Sequence, residues 1–264
     1  MPSLFIAAQQ CLDCSDPLRK AQLTRDAAAA FARDELDLHD DAARAEPGDI
    51  PGRPPRPELV NPRALSRRGM GTAAGRAALV HAVAHIEFNA INLAWDAVAR
   101  FCDMPADFYR DWCACAADEA RHFTLLSTRL GELGMAYGDL PAHDGLWGMA
   151  QRTRHSVLAR MALVPRVLEA RGLDVTPGMI ARLRAVRDHA TADILEVILR
   201  EEVAHVAAGT RWFRWCCARD GLEPQATFHA LLAEYMPGGQ RGPFNLEARR
   251  AAGFSADELD VLTR

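Results

Sequence analysis

The chain is expected to be all-α, and three observations lead there. Val and Ile rarely alternate with polar residues, whereas Ala, Leu, Arg and Glu recur at spacings of three and four through most of the sequence. Strong helix breakers are concentrated in a few places, above all in residues 46–62, EPGDIPGRPPRPELVNP, where six prolines and two glycines exclude a regular helix. An acidic-Glu-x-x-His pentad occurs twice, in segments with helical periodicity, a pattern that belongs to helical bundles.

In chain order, a first helical region runs from about Asp16 to Ala45, and the Pro-rich stretch after it reads as an extended strap. A second helix covers about Thr72 to Cys102 and stops at Asp103-Met104-Pro105; a third covers about Ala106 to Leu133 and closes at Gly134. Beyond the loop GDLPAHDG, a fourth helix is expected over about Leu146 to Arg171, interrupted by Gly172 and then Pro177, with Pro177 to Asp188 continuing helically. The last long helix covers about Thr191 to Arg219, and shorter helices near 224–236 and 255–263 flank a GGQRGP loop. This divides the chain into an N-terminal helical region and strap (1–62), a four-helix core (63–220) and a C-terminal helical extension packed on the same domain (221–264).

Composition narrows the function classes. With 49% hydrophobic and 25% charged residues, the chain has the balance of an ordinary globular protein. Its net charge of -4 gives no electrostatic footprint for nucleic acid, and its positive charge is almost all arginine, Lys20 being the only lysine. The N-terminus, MPSLFIAAQQCLDC, lacks a basic region followed by a long apolar one, and no run of about 18 apolar residues is free of charge, so a cytoplasmic protein without a membrane partner is expected. Seven cysteines are too sparse for a disulfide framework. Cys11 and Cys14 form a C-x-x-C without a second pair at zinc-ligand spacing and read as helix-turn residues.

The chemistry is concentrated in the two pentads, Asp118-Glu119-Ala120-Arg121-His122 and Glu201-Glu202-Val203-Ala204-His205. Residues i and i+3 share a helix face, so Glu119 with His122, and Glu202 with His205, each form a two-ligand clamp. One E-x-x-H on an exposed helix means little. These two lie among Trp112, Cys115, Ala116, Phe123 and Leu126, and among Leu195, Ile198, Leu199, Val206 and Gly209, which are apolar stripes where a carboxylate needs a counter-charge.

A di-metal carboxylate bundle uses two such clamps and one further Glu from each of two other helices. Glu87, the only carboxylate between residues 73 and 95, supplies the first; Glu169, the only one on the fourth helix, supplies the second. Glu87 to Glu119 spans 32 positions and Glu169 to Glu202 spans 33, as a duplicated half-site would produce. The expected arrangement has Glu119 and Glu202 bridging two metals, His122 and His205 capping one each, and Glu87 and Glu169 as terminal ligands. Four carboxylates and two imidazoles suit two iron ions, or manganese as the alternative, better than zinc. Asp118 and Glu201 point away from the metals, although one of them can orient a histidine. His81 and His85 read as surface or packing residues, Asn89 and Asn92 as mid-helix hydrogen-bonding groups, and His143 as a loop residue.

The stretches HAVAHIE, FYRDW, GDLPAHDGLW, LARMALVPRVLEARGLDVTP, ILREEVAH and GPFNLEARRAAGF, spread over residues 50–255, resemble a ferritin-like family classed as domain of unknown function 455. More distantly, the six-ligand pattern is similar to that of the bacterial tRNA hydroxylases of the ferritin-like superfamily, whose third motif also reads Glu-Ala-Arg, as Glu169-Ala170-Arg171 does. The resemblance implies a ferritin-like four-helix bundle with a di-metal site and names no substrate. The function expected on this basis is an O2- or peroxide-dependent oxidoreductase or hydroxylase served by an electron donor, with a ferritin-like iron-handling protein as the alternative. A tRNA substrate is open to it in principle, without support from the net charge.

Overall fold

Helices start where the chain supplies caps. In the computed structural model, which describes residues 1–38, 47–65 and 69–263, Asp16 accepts a hydrogen bond from the Arg19 amide at 2.7 Å and Pro17 opens the helix behind it. Thr72 caps the next long helix through the Gly75 amide at 3.0 Å, and Asp188 caps the last long one through Thr191 N at 3.2 Å. No strand occurs among the described residues; the only sheet-like pairings are isolated bridges, Ser3 with Asp37 and Leu59 with Ala142. The expected all-α class holds.

The chain forms two compact units, Met1–Gly148 and Met149–Arg264. The first contains α1 (Leu4–Asp13), α2 (Pro17–Ala32), α3 (Ala73–Arg100) and α4 (Ala106–Glu132), and the division falls within α5 (Gly145–Arg152). The first helical region departs from expectation in two ways. A helix precedes Asp16, and α2 ends at Ala32 because the chain turns at Asp34, whose φ is +55°; the expected continuation over 39–45 lies outside the described residues.

Helix α3 is the central element of this unit, apolar on nearly all sides and therefore covered by α1, α2 and α4. Among the described residues it alone is long and apolar enough to cross a membrane, and most of that stretch is buried within the protein. The strap is pinned by Arg53, which pairs with both Asp144 oxygens at 2.8 Å and reaches Asn89 Oδ1 at 3.3 Å.

The second unit contains α6 (Val157–Leu163), a π-helical segment (Val164–Glu169), α7 (Ala170–Ala185), α8 (His189–Asp220), α9 (Pro224–Tyr235), α10 (Leu246–Ala251) and α11 (Ala256–Thr263). The fourth helix expected over 146–171 is thus divided, and its breaks lie elsewhere than at Gly172 and Pro177. The chain leaves the helix between α5 and α6, where Ser156 caps α6 through the Ala159 amide at 3.2 Å. It widens into π geometry at Pro165, which has no N–H for an i→i−4 bond. Pro177, by contrast, sits inside α7. The carbonyl it leaves without an i+4 donor, that of Leu173, accepts a bond from Asn245 Nδ2 at 3.2 Å, so the helix continues.

Helix α8 presses against the π segment at a residue without a side chain. A Cβ on Gly209 would lie 2.2 Å from Pro165 Cγ, inside any allowed contact. Its end is set by Gly221, which has φ +66° and lets the Leu222 amide reach Cys217 O at 2.8 Å.

Candidate metal centre

In the first unit α3 and α4 run against each other and bring Glu87, Glu119 and His122 together. Each offers one ligand atom, and these atoms lie within 4.8 Å of one another. His122 Nδ1 donates to Glu87 Oε2 at 3.1 Å and lies 3.5 Å from Glu119 Oε2. The group is closed off from solvent: the residues expose 4%, 3% and 0% of their surface, and Val80, Ala84 and Ile91 of α3 and Ala116, Ala120, Phe123 and Leu126 of α4 are buried as well.

Two carboxylates placed there raise each other's affinity for positive charge. Burial pushes the Glu87 carboxyl well above the usual range; the charge of Glu119 adds to this, and the hydrogen bond from His122 opposes it. Burial also opposes charge on His122, yet its bonds to Glu119 and Glu87 prevail and hold its pKa at about 11. One nitrogen and two carboxylate oxygens form a donor set for a hard-to-borderline divalent metal, so the residues fit such an ion.

In the second unit Glu202 and His205 share one face of α8, with His205 Nδ1 3.5 Å from Glu202 Oε1 and both residues buried. Glu169 closes the π segment that packs on the same helix and is half-buried. Asp118 pairs with Arg121 at 2.9 Å on a partly exposed face, and Glu201 lies 3.9 Å from Arg200.

The remaining polar residues of α3 have other work. Of the two readings for His81 and His85, surface or packing, the packing one holds: both are buried against Tyr137, His81 Nε2 accepts from the Gly138 amide at 2.9 Å, and His85 Nδ1 meets Tyr137 Oη at 2.9 Å. Burial, reinforced by the Arg53 charge, pushes His85 down to about 4, so it is neutral at pH 7. Asn89 bonds His85 and Arg53, and Asn92 accepts from Lys20; His143 accepts from the Gly145 amide at 3.2 Å. Cys11 and Cys14 are free thiols at the end of α1, Cys11 pushed up to about 12 by burial. The buried cations Lys20 and Arg166 carry no sequence signal of burial, since residue type alone favours the surface for both.

Fold and cluster together define a class: an all-helical protein with a buried carboxylate–imidazole group that can hold a metal ion. The chain belongs to the family described as "Protein of unknown function (DUF455)", which matches residues 13–260. It is 44% identical over 214 residues, 78% of this chain and 74% of the relative, to a protein of Haemophilus influenzae (strain ATCC 51907 / DSM 11121 / KW20 / Rd) described as "Uncharacterized protein". No solved structure matches.

Proposed function

We propose that the protein is a di-metal carboxylate oxidoreductase, with iron as the metal and manganese as the alternative. Glu87, Glu119, His122, Glu169, Glu202 and His205 would hold the two ions in a ferritin-like four-helix core over residues 63–220. The observation that carries the reading is the buried cluster of Glu87, Glu119 and His122, whose ligand atoms lie within 4.8 Å of one another. The equal spacing of Glu87–Glu119 and Glu169–Glu202, to within one residue, and the second clamp on α8 support the remaining ligands. A bound metal pair would supply redox chemistry for oxidising an organic substrate, with O2 and two electrons from an external donor or with peroxide and no donor.

The protein's own share is to exclude water, to present carboxylates that neutralise the ions, and to keep the imidazoles oriented. Asp118, tied to Arg121, leaves Glu119 as the inward-facing member of its pair. Metal analysis after expression with iron and manganese supplied tests this. About two ions per chain are expected, with loss of at least one in Glu119→Ala. Fewer than about one ion per wild-type chain sinks the reading. Iron uptake by a large assembly would move it to iron handling.

A further inference from the structure

Glu169 closes the one irregular segment among the proposed ligand carriers, and the C-terminal helices grip that segment from both sides. Three residues before it, Arg166 is fully buried, its guanidinium carbon 4.6, 4.3 and 4.8 Å from the ring centres of Phe213, Phe228 and Phe254. Its ion-pair partner is Glu258 of α11, a carboxylate that also accepts from the Ser255 amide at 2.8 Å and lies 3.7 Å from Arg214. Five residues after Glu169, the buried Asp174 takes Arg249 of α10 through two bonds of 2.9 and 2.7 Å and accepts from the Asn245 amide at 2.9 Å.

Apolar packing continues the grip. Ala170 and Leu173, close after Glu169, form one cluster with Ala252, Phe254 and Leu259 of the C-terminal segment and with Val206 of α8, next to His205. A π turn is a marginal geometry, kept where its surroundings impose it. Here Pro165 against Gly209 fixes one end of the segment, and the two buried ion pairs fix its middle and the first turns of α7.

We propose that the C-terminal segment, residues 245–259, is a latch that sets the position of Glu169, with Glu258 and Arg166 as positioning residues for the metal centre. The inference rests on the di-metal reading and adds a part to it. Without the Glu258 carboxylate, the buried guanidinium loses its ionic partner, the π segment relaxes, and the ion nearest Glu169 is held less tightly. Outer residues that orient metal ligands change affinity by about 10- to 100-fold when altered.

The test compares wild type, Glu258→Gln, Glu169→Ala and the double variant Arg166→Met/Glu258→Leu. Iron and manganese stoichiometry and competition affinity are measured, with urea stability of the metal-free chains and hydrogen exchange of a peptide spanning 164–169. Glu258→Gln is expected to bind about 10- to 100-fold more weakly at one of two sites and to exchange faster in that peptide. Loss of the charge pair leaves an apolar pocket in the double variant, which regains stability while its metal affinity stays low. Wild-type metal affinity in the folded double variant would overturn the latch and leave the ion pair a purely structural role. Wild-type metal binding by Glu169→Ala would instead remove Glu169 from the ligand set, and the latch with it.

Discussion

In each unit a fully buried basic side chain braces a proposed ligand carrier, Lys20 in the first and Arg166 in the second, and the two differ in kind. In the first unit Lys20 Nζ donates to Leu12 O at 2.9 Å and to Asn92 Oδ1, and sits 5.3 Å above the Phe88 ring, so α1 and α2 are tied to the stretch of α3 that carries Glu87. In the second, Arg166 ties the π segment to α11 through Glu258. Lysine can shed its proton when buried without a carboxylate, and burial lowers Lys20 to about 7. Arginine keeps its charge, and accordingly Arg166 has both a carboxylate and three aromatic faces. The same mechanical task thus yields one brace that answers to pH and one that does not.

The largest effect that could break this comparison is the pH dependence of stability. Between about pH 7 and 10.5 the unfolded chain keeps the Lys20 proton and the folded chain releases it, so the Lys20 contribution to stability rises with pH across that window, opposite in sign to that of His122; below it both states are charged at Lys20 and this contribution is flat. The rise amounts to about 1.4 kcal/mol per pH unit, on the order of 4–5 kcal/mol in all. Urea midpoints of wild type and Lys20→Met at pH 7, 8 and 9 measure it. The stability difference between wild type and Lys20→Met is expected to shift in favour of wild type by about 1.4 kcal/mol per pH unit, whatever His122 adds to both profiles; parallel profiles would show that Lys20 is not the group responsible.

The next effect concerns how the irregular carrier is seated. Gly209→Ala puts a methyl where Pro165 Cγ would be 2.2 Å away, and one of the two backbones must move. A loss of about 3 kcal/mol is expected, with the π segment displaced. Pro165→Ala in the same chain removes the ring and recovers part of it. Thermal unfolding of the two single variants and the double variant reads the coupling directly, and additive losses would mean that the contact does not hold the segment.

The two carriers also differ in how much of them the sequence discloses. Helix α3 is legible because its residues are apolar on nearly every side and its lone Glu87 has no counter-charge beside it to explain it; Thr72 and the Asp103-Met104-Pro105 break mark its ends. The E-x-x-H pairs are legible for a local reason, since an i,i+3 relation within one regular helix needs no tertiary information. The π segment has no such signature. Counting back from Glu169 at 3.6 residues per turn places Leu158, Met161, Ala162 and Pro165 behind it, but one wide turn slips that phase. The residues that hold the turn, Phe213, Phe228, Phe254 and Glu258, all lie far along the chain from Arg166, and Glu258 is 92 positions away. Lys20 escapes a sequence reading for a related reason: one lysine in a polar-looking helix start shows nothing of the carbonyls it will meet.

The smallest effect decides between the expected and the observed course of the chain after Glu169. Gly172 reads in the sequence as a helix stop, and a stop of that kind favours the left-handed backbone, where alanine is strained. The structure instead places Gly172 inside α7 with open space where a Cβ would stand. Alanine at that point loses less freedom on folding and keeps the helical geometry, so Gly172→Ala should stabilise by about 0.5–1 kcal/mol. A shift of that sign in urea midpoint, with metal content unchanged, supports a continuous helix running from the last π residue towards Ala185. A loss of stability would restore the break at Gly172, and with it a path for Glu169 that the C-terminal ion pairs could not steer.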